Sequence, residues 1–299
     1  MALSTTNVDI YRGTSGVALP AKLSGEILAD ATERSAVMQL AKRITLPGSG
    51  LSIPVVTGDP AADWVGETHE KPVSEATLAT KTMTPYKIAV IELFSNEFRR
   101  DLGALYNALR ERLPQSIAKK FDSTVFFGTA PGSNFDTLAN VSTQAIGGTA
   151  QWAGLVAAKS AIATAGGILD GWALSPQGEG LLLGATDGND RPLFLDSTRD
   201  GAVSRMLGAP VEIVKAAYKA GTSSNPNIIG FAGDWSGARY GVVDGINVKI
   251  SEEATVNDGT AQINLWQRNM FAVMVEAELG FIVKDANEFI ALTDGNPSA

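Results

Sequence analysis

The sequence predicts an α+β fold that carries two extended segments, an N-terminal arm and a long β-hairpin. Three observations predict it. Leu102, Leu105, Leu109, Leu113, Ile117, Phe121 and Val125 recur every three or four residues, the spacing of one buried helical face. Residues 203–254 and 262–292 are short apolar, β-branched runs cut by turns, the pattern of a mixed sheet. Residues 1–20 and 45–98 hold too few apolar side chains to bury a core of their own, so each needs a surface to lie against.

The elements follow in order. Residues 1–20 are polar, with Gly13, Gly16 and Pro20, and read as an arm. Leu23, Ile27, Leu28, Ala31, Val37 and Leu40 give a short amphipathic helix up to about Arg43. Leu51, Ile53 and Val55 alternate as in a strand. A polar stretch, 57–84, separates that run from a second one at 86–94, so the two runs are expected to pair as a long hairpin with a polar tip. The strongest helix covers 99–128 and ends at Gly128. Pro114 interrupts its stripe and predicts a kink or a restart, which makes it a hinge candidate. Residues 129–150 read as a Gly/Ser/Thr/Asn-rich link. A helix over 152–165 stops at Gly166-Gly167, and 172–174 is a short buried strand. Ser175-Pro176 reads as an N-cap followed by proline at the first helical position. Strands are expected at 211–214, 228–232, 240–243, 246–250, 270–275, 280–283 and 289–292.

Composition excludes several chemistries. The 299 residues include no cysteine and one histidine, His69. There is no disulfide scaffold, thiol nucleophile or Cys-ligated metal, and no HExxH. Net charge is −8, the wrong sign for a protein that grips nucleic acid through phosphate contacts. No apolar run approaches the length of a membrane span, and the first ten residues lack the basic and apolar regions of a secretory signal. Charge is uneven: residues 45–98 carry −4, whereas 99–150 carry +2.

Motif-like residues are weak. Gly178, Gly180 and Gly184 lack the GxGxxG spacing, and no GxxxxGK[ST] occurs. Asp187, Asn189 and Asp190 lack the Gly and Glu of a calcium loop. Glu252 and Glu253 face opposite sides of a strand, while Glu276 and Glu278 share one. No catalytic, cofactor-binding or metal-binding residue is assigned, and no cofactor is expected. His69 would act as a pH sensor if it lies at a subunit contact. Trp64, Trp172, Trp235 and Trp266 read as core or subunit anchors.

The order of elements resembles the major capsid proteins of tailed bacteriophages with the Hong Kong 97-type fold. The resemblance covers about residues 18–293. Residues 62–68 (Ala-Asp-Trp-Val-Gly-Glu-Thr) are similar to that family's Trp-x-x-Glu in its extended loop. Lys87-Ile88 and Phe94-Ser95-Asn96-Glu97 to Asp101 resemble the return strand and the start of the spine helix, and 122–128 its end. Leu174-Ser175-Pro176, Arg191-Pro192-Leu193, Gly208-Ala209-Pro210-Val211 and Gly233-Asp234-Trp235-Ser236 resemble the central domain. Arg268, Ala272, Glu276, Gly280 and Asp285 resemble the closing strands.

The resemblance implies five segments: N-terminal arm and short helix (1–44), extended loop (45–98), peripheral domain with the spine helix (99–150), axial domain (151–254), and the closing strands of the peripheral domain (255–299). It implies a coat protein that self-assembles as hexamers and pentamers into an icosahedral shell around packaged double-stranded DNA. The DNA is held by confinement, without sequence-specific binding and without a membrane. Portal protein is an implied partner, and a cement or decoration protein is an optional one. The arm leaves no room for a fused scaffolding domain, so a separate scaffolding protein, or none, is expected. The implied location is the virion, after assembly in the host cytoplasm. Intersubunit contacts are expected from Trp64, Glu67, His69, Glu70, Lys71, Glu75, Arg99 and Arg100, the two arginines pairing with glutamates of a neighbour's loop. The isopeptide cross-link of some members is not carried over to Lys71, Lys81, Asn269 or Asn287. Two alternatives stand beside this reading: an encapsulin-like compartment and a carboxylate-based hydrolase.

Overall fold

The computed structural model describes residues 35–58, 62–67, 69–71, 73, 77–97, 102–148, 151–186, 189, 193, 203, 205–243, 247–257, 259 and 261–297. For 55–58, 77, 78, 102–111, 114, 296 and 297 it describes the backbone only. The expected arm and most of the first helix lie outside these residues, as do Glu75, Arg99, Arg100, Asp187 and Asp190.

Two sheets organise the chain. The first is built on one long strand, β14 (Met270–Val283). One edge of β14 pairs antiparallel with β4 (Tyr86–Ser95), from Met270↔Ser95 to Leu279↔Tyr86. Its other edge pairs with β10 (Ala238–Val242) and β11 (Asn247–Ser251), and β1 (Lys42–Thr45) adds parallel to β10. The second sheet has the order β5-β15-β9-β6-β8-β7. It comprises β5 (Ser142–Ala145), β15 (Phe289–Pro297), β9 (Pro226–Gly233), β6 (Gly171–Leu174), β8 (Ala209–Ile213) and β7 (Arg205–Met206). A short ribbon of β12 (Thr255–Asn257) and β13 (Gln262–Asn264) precedes β14. Both sheets draw strands from either side of the segment bounds at 150 and 254: β5 and β15 join the strands of 171–233, and β10 and β11 join β14.

Helix α2 (Leu102–Phe127) packs on the first sheet. Its predicted stripe holds wherever side chains are described: Leu113, Ile117, Phe121 and Val125 are buried. They meet Phe271, Val273, Val275 and Phe281, which lie on one face of β14 because alternate strand residues point the same way. Phe121 stands edge-on to Phe281 at 6.3 Å, and Phe126 stacks on Phe231 at 4.7 Å. The helix is continuous through Pro114, so no restart occurs. Proline removes a single N–H from the ladder, and the tertiary contacts of the buried stripe outweigh that loss.

The second sheet buries its own cluster against α3 (Gln151–Thr164) and α4 (Pro176–Leu183), with Leu155, Ile162, Trp172 and Leu182 all buried. Ser175 caps α4 as the sequence predicts, its Oγ accepting from the Gly178 N–H at 3.1 Å. Gly178 is a packing glycine: a Cβ there would lie 2.7 Å from the Ile229 carbonyl.

Three expectations are corrected. The first helix ends at Leu40 (α1, Ala36–Leu40), and residues 42–45 are strand. The link 129–150 is packed rather than free: Phe135 and Leu138 are buried, and 142–145 form β5. The hairpin partner of β2 (Leu51–Gly58) is β3 (Thr77–Met83), in register Leu51↔Met83, and not residues 86–94, which pair with β14. Ile88, Val90 and Leu93 set the strand pattern of β4 correctly, but a two-residue period does not say which strand it pairs with.

Candidate assembly surfaces

The β2–β3 hairpin is fixed to the body at its base. Met83 is fully buried with Leu46 and Ile282. It sits over Gly241 and Gly280, which face each other across β10 and β14. A Cβ on Gly280 would lie 2.8 Å from Met83 Cγ, so glycine makes the notch that receives this side chain. On the same face of β3, two residues away, Lys81 Nζ donates to Asp136 Oδ2 at 3.0 Å and to the Val283 carbonyl at 2.7 Å. Asp136 Oδ2 also accepts from the Val283 N–H at 3.0 Å. Asn134 Nδ2 donates to Thr84 Oγ1 at 2.8 Å. Loop 132–136 thus ties the hairpin to the end of β14.

Beyond this clamp, several of the described side chains are open to solvent. Seven residues of strand at about 3.3 Å each carry the tip roughly 20 Å from the base. Trp64 is 100 % exposed and Val73 94 %. Glu67, His69, Glu70 and Lys71 are exposed beside them, and the His69 N–H donates to the Gly66 carbonyl at 3.1 Å. The tip therefore brings together five of the eight expected contact residues: Trp64, Glu67, His69, Glu70 and Lys71. Trp64 thus stands fully open on a segment that also carries Asp63, Glu67 and Glu70. Trp266, in the turn before β14, is a second exposed tryptophan at 76 %, whereas Trp172 and Trp235 are core.

The lysine and asparagine candidates separate. Lys81 is committed to the clamp, Asn269 Oδ1 accepts from Asn96 Nδ2 at 3.2 Å, and Asn287 Nδ2 donates to Asp285 Oδ1 at 2.9 Å. Lys71 is at the exposed tip. Glu276 and Glu278 do share a face, but as part of a cross-strand ladder of charge. Glu276 contacts Lys87 and Lys249, and Glu278 contacts Lys87, each at 3.7 Å. Such a ladder is not a paired-acid pocket. No group of three or more His, Asp or Glu poised for a metal occurs among the described residues, and no described helix is long and apolar enough to cross a membrane.

One interaction was not legible in the sequence. Asp122, on α2, is fully buried and accepts from the Ser35 hydroxyl at 2.5 Å and from the Ala36 N–H at 3.1 Å. Ser35 Oγ in turn accepts from the Met38 N–H at 3.1 Å, capping α1. The spine helix and the start of the described chain are latched through Asp122, Ser35 and Ala36. Burial pushes the Asp122 carboxyl up to about 7 against the lowering effect of its hydrogen bonds.

Comparison with known proteins decides what these surfaces belong to. A profile of the phage capsid family matches residues 15–294. The chain belongs to the phage capsid family. It is 34 % identical over 287 residues to the probable major capsid protein gp17 of Mycobacterium phage D29, covering 90 % of this chain and 87 % of that one. The corresponding protein of Mycobacterium phage L5 is 33 % identical over 289 residues, with the same coverage. The solved structure of Mycobacterium phage Bobi superposes with a TM-score of 0.70 at 26 % identity, over 88 % of this chain and 91 % of that one. The α+β fold is of the Hong Kong 97 type, and the chain is a major capsid protein, a self-associating component of a virion shell.

Proposed function

We propose that this capsid protein assembles as hexamers and pentamers into an icosahedral shell around packaged double-stranded DNA, with its hairpin as a principal intersubunit arm. The supporting observation is the contrast within one hairpin: a base clamped by Met83, Lys81 and Asp136, and a tip that exposes Trp64 and Val73. An arm anchored at its base, with an uncovered aromatic end, gains apolar burial on a neighbour, and many such weak contacts sum in a closed shell. Glu75, Arg99 and Arg100 complete the proposed contact set by sequence. In this reading the peripheral domain centres on α2 and β14, and the axial domain on the sheet of β6 and β9.

The net charge of −8 suits a container for DNA, because an acidic wall does not trap the phosphate backbone during filling. Portal protein and a separate scaffolding protein are the partners this reading calls for, in the cytoplasm of a bacterial host. Pro114 is a point at which α2 bends if the shell expands, since one backbone hydrogen bond is missing there. No specific observation favours an enzyme compartment or a hydrolase. The experiment is negative-stain electron microscopy and size exclusion of the purified chain, alone and co-expressed with a scaffolding protein. Closed shells, tubes or capsomer rings support the proposal. A monomer in both preparations at every concentration refutes it.

A further inference from the structure

Helix α1 is wedged between the two sheets. It touches α2 and β1 of the first sheet's layer, and β6 and β8 of the second sheet. Ala36, Val37 and Met38 are buried there. Leu40 packs against Gly171 of β6, where a Cβ would lie 2.9 Å from the leucine Cδ2. One carboxyl holds the N-terminal end of this wedge. Asp122 accepts from the Ser35 hydroxyl and from the Ala36 N–H, and Ser35 Oγ accepts from the Met38 N–H. The Met38 N–H, the Ser35 hydroxyl and the carboxyl are therefore one chain of hydrogen bonds, and Ser35 and Asp122 are both fully buried.

No described cation answers this carboxyl. α1 and β6 carry no titratable side chain. Lys119 and Lys120 on α2, Lys42 and Arg43 on β1, and Lys215 in the single turn Lys215–Ala217 all point to solvent. Glu212 on β8 is half-buried. On the strands under α2, Tyr86 accepts from the Asn134 N–H, and Glu92, Glu276 and Glu278 contact Arg112, Lys87 and Lys249. Glu33 and Arg34 precede Ser35 in sequence and lie outside the described residues. A neutral carboxyl is satisfied by its hydrogen bonds, whereas an ionised one also needs a cation or solvent, and a fully buried site with no cation beside it supplies neither. We propose that α1 and Asp122 form a proton-controlled latch, in which α1 stays docked between the two sheets while Asp122 is neutral and detaches more often as Asp122 ionises. The joint at which residues 1–34 leave the described body thus loosens as pH rises. Burial supports this, since it pushes the docked carboxyl from 3.8 up to about 7. Detached, the carboxyl returns to its ordinary value, so opening grows with pH and levels off above the docked value; between about pH 5.5 and about pH 8.5 it grows about 30-fold. The latch is a property of the single chain and does not depend on the assembly reading.

Hydrogen exchange read by mass spectrometry on the unassembled full chain tests this. Peptides covering residues 35–45 and 270–283 are compared across that pH range, after correction for the intrinsic exchange rate. Two results are expected of the wild type. Residues 35–45 exchange faster than β14 at every pH, which marks a local opening rather than unfolding of the whole chain. Their protection also falls about 30-fold from the lowest to the highest pH. Asp122→Asn is expected to keep the first behaviour and lose the second. Ser35→Ala removes a hydrogen bond that favours the ionised form, so its docked carboxyl titrates higher and its fall in protection levels off at a higher pH than in the wild type. If Asp122→Asn does not fold, Ser35→Ala decides: levelling at the wild-type pH overturns the inference. So does a flat wild-type profile, a profile that Asp122→Asn shares, or an α1 that exchanges no faster than β14.

Discussion

Replacing Asp122 by asparagine tests the latch between the spine helix and α1. The carboxyl is fully buried and is pushed from 3.8 up to about 7. The folded chain therefore holds this proton more tightly than the unfolded chain does. Below the unfolded value the group's contribution is fully present, and it is lost as pH rises through the folded value. The whole interval corresponds to about 4 kcal/mol at 1.36 kcal/mol per pH unit. Between about pH 5.5 and about pH 8.5, roughly 2 kcal/mol of that is lost. Asparagine resembles the neutral acid in shape and cannot ionise, so the Asp122→Asn chain lacks this loss. The assay is urea unfolding of the unassembled chain followed by tryptophan fluorescence across that range, with the buried Trp172 and Trp235 as reporters. The difference in unfolding free energy between wild type and variant is expected to shift toward the variant by roughly 2 kcal/mol as pH rises. Parallel pH profiles, or a wild type that gains stability relative to the variant, refute the reasoning.

Other perturbations follow from the same contacts. Gly280→Val places a branched side chain where Met83 sits, which overpacks the notch by about 1–3 kcal/mol and releases the hairpin base; proteolysis between residues 59 and 76 should accelerate. Lys81→Met removes a partly exposed ion pair with Asp136 and one bond to the Val283 carbonyl; a loss of about 1 kcal/mol, read as faster amide exchange in β2 and β3, is expected. Arg99→Glu with Arg100→Glu is expected to reduce particle yield in a pelleting assay without moving the unfolding midpoint, and normal yield would remove both from the contact set. Pro114→Ala should raise the stability of α2 by restoring one backbone hydrogen bond and slow any shell expansion, measured by time-resolved scattering.

The helices and local caps were legible because their determinants are local. The stripe ending in Ile117, Phe121 and Val125 marks one face of one helix, and Ser175-Pro176 marks a start that Gly178 confirms by its hydrogen bond. The polar character of the tip was also legible, since residues 57–84 hold few core-forming side chains. What escaped the sequence depends on distant partners. The strand at 86–95 pairs with residues 270–279 rather than with 51–58, because β14 offers ten matched positions along its edge. Residues 77–83 are too polar to announce a strand, yet Met83 and Lys81 are the two that fasten it, to Gly280 and Asp136. Asp122 lies in a helix of ordinary pattern, and only the approach of Ser35, 87 positions earlier, makes it a buried latch.

The most direct test of the central claim is a cryo-electron-microscopy reconstruction of the assembled particle. The account predicts a closed icosahedral shell of pentamers and hexamers in which each hairpin crosses onto a neighbouring subunit and its Trp64 is covered there. A particle in which the hairpin folds back on its own subunit, with Trp64 still open to solvent, contradicts it.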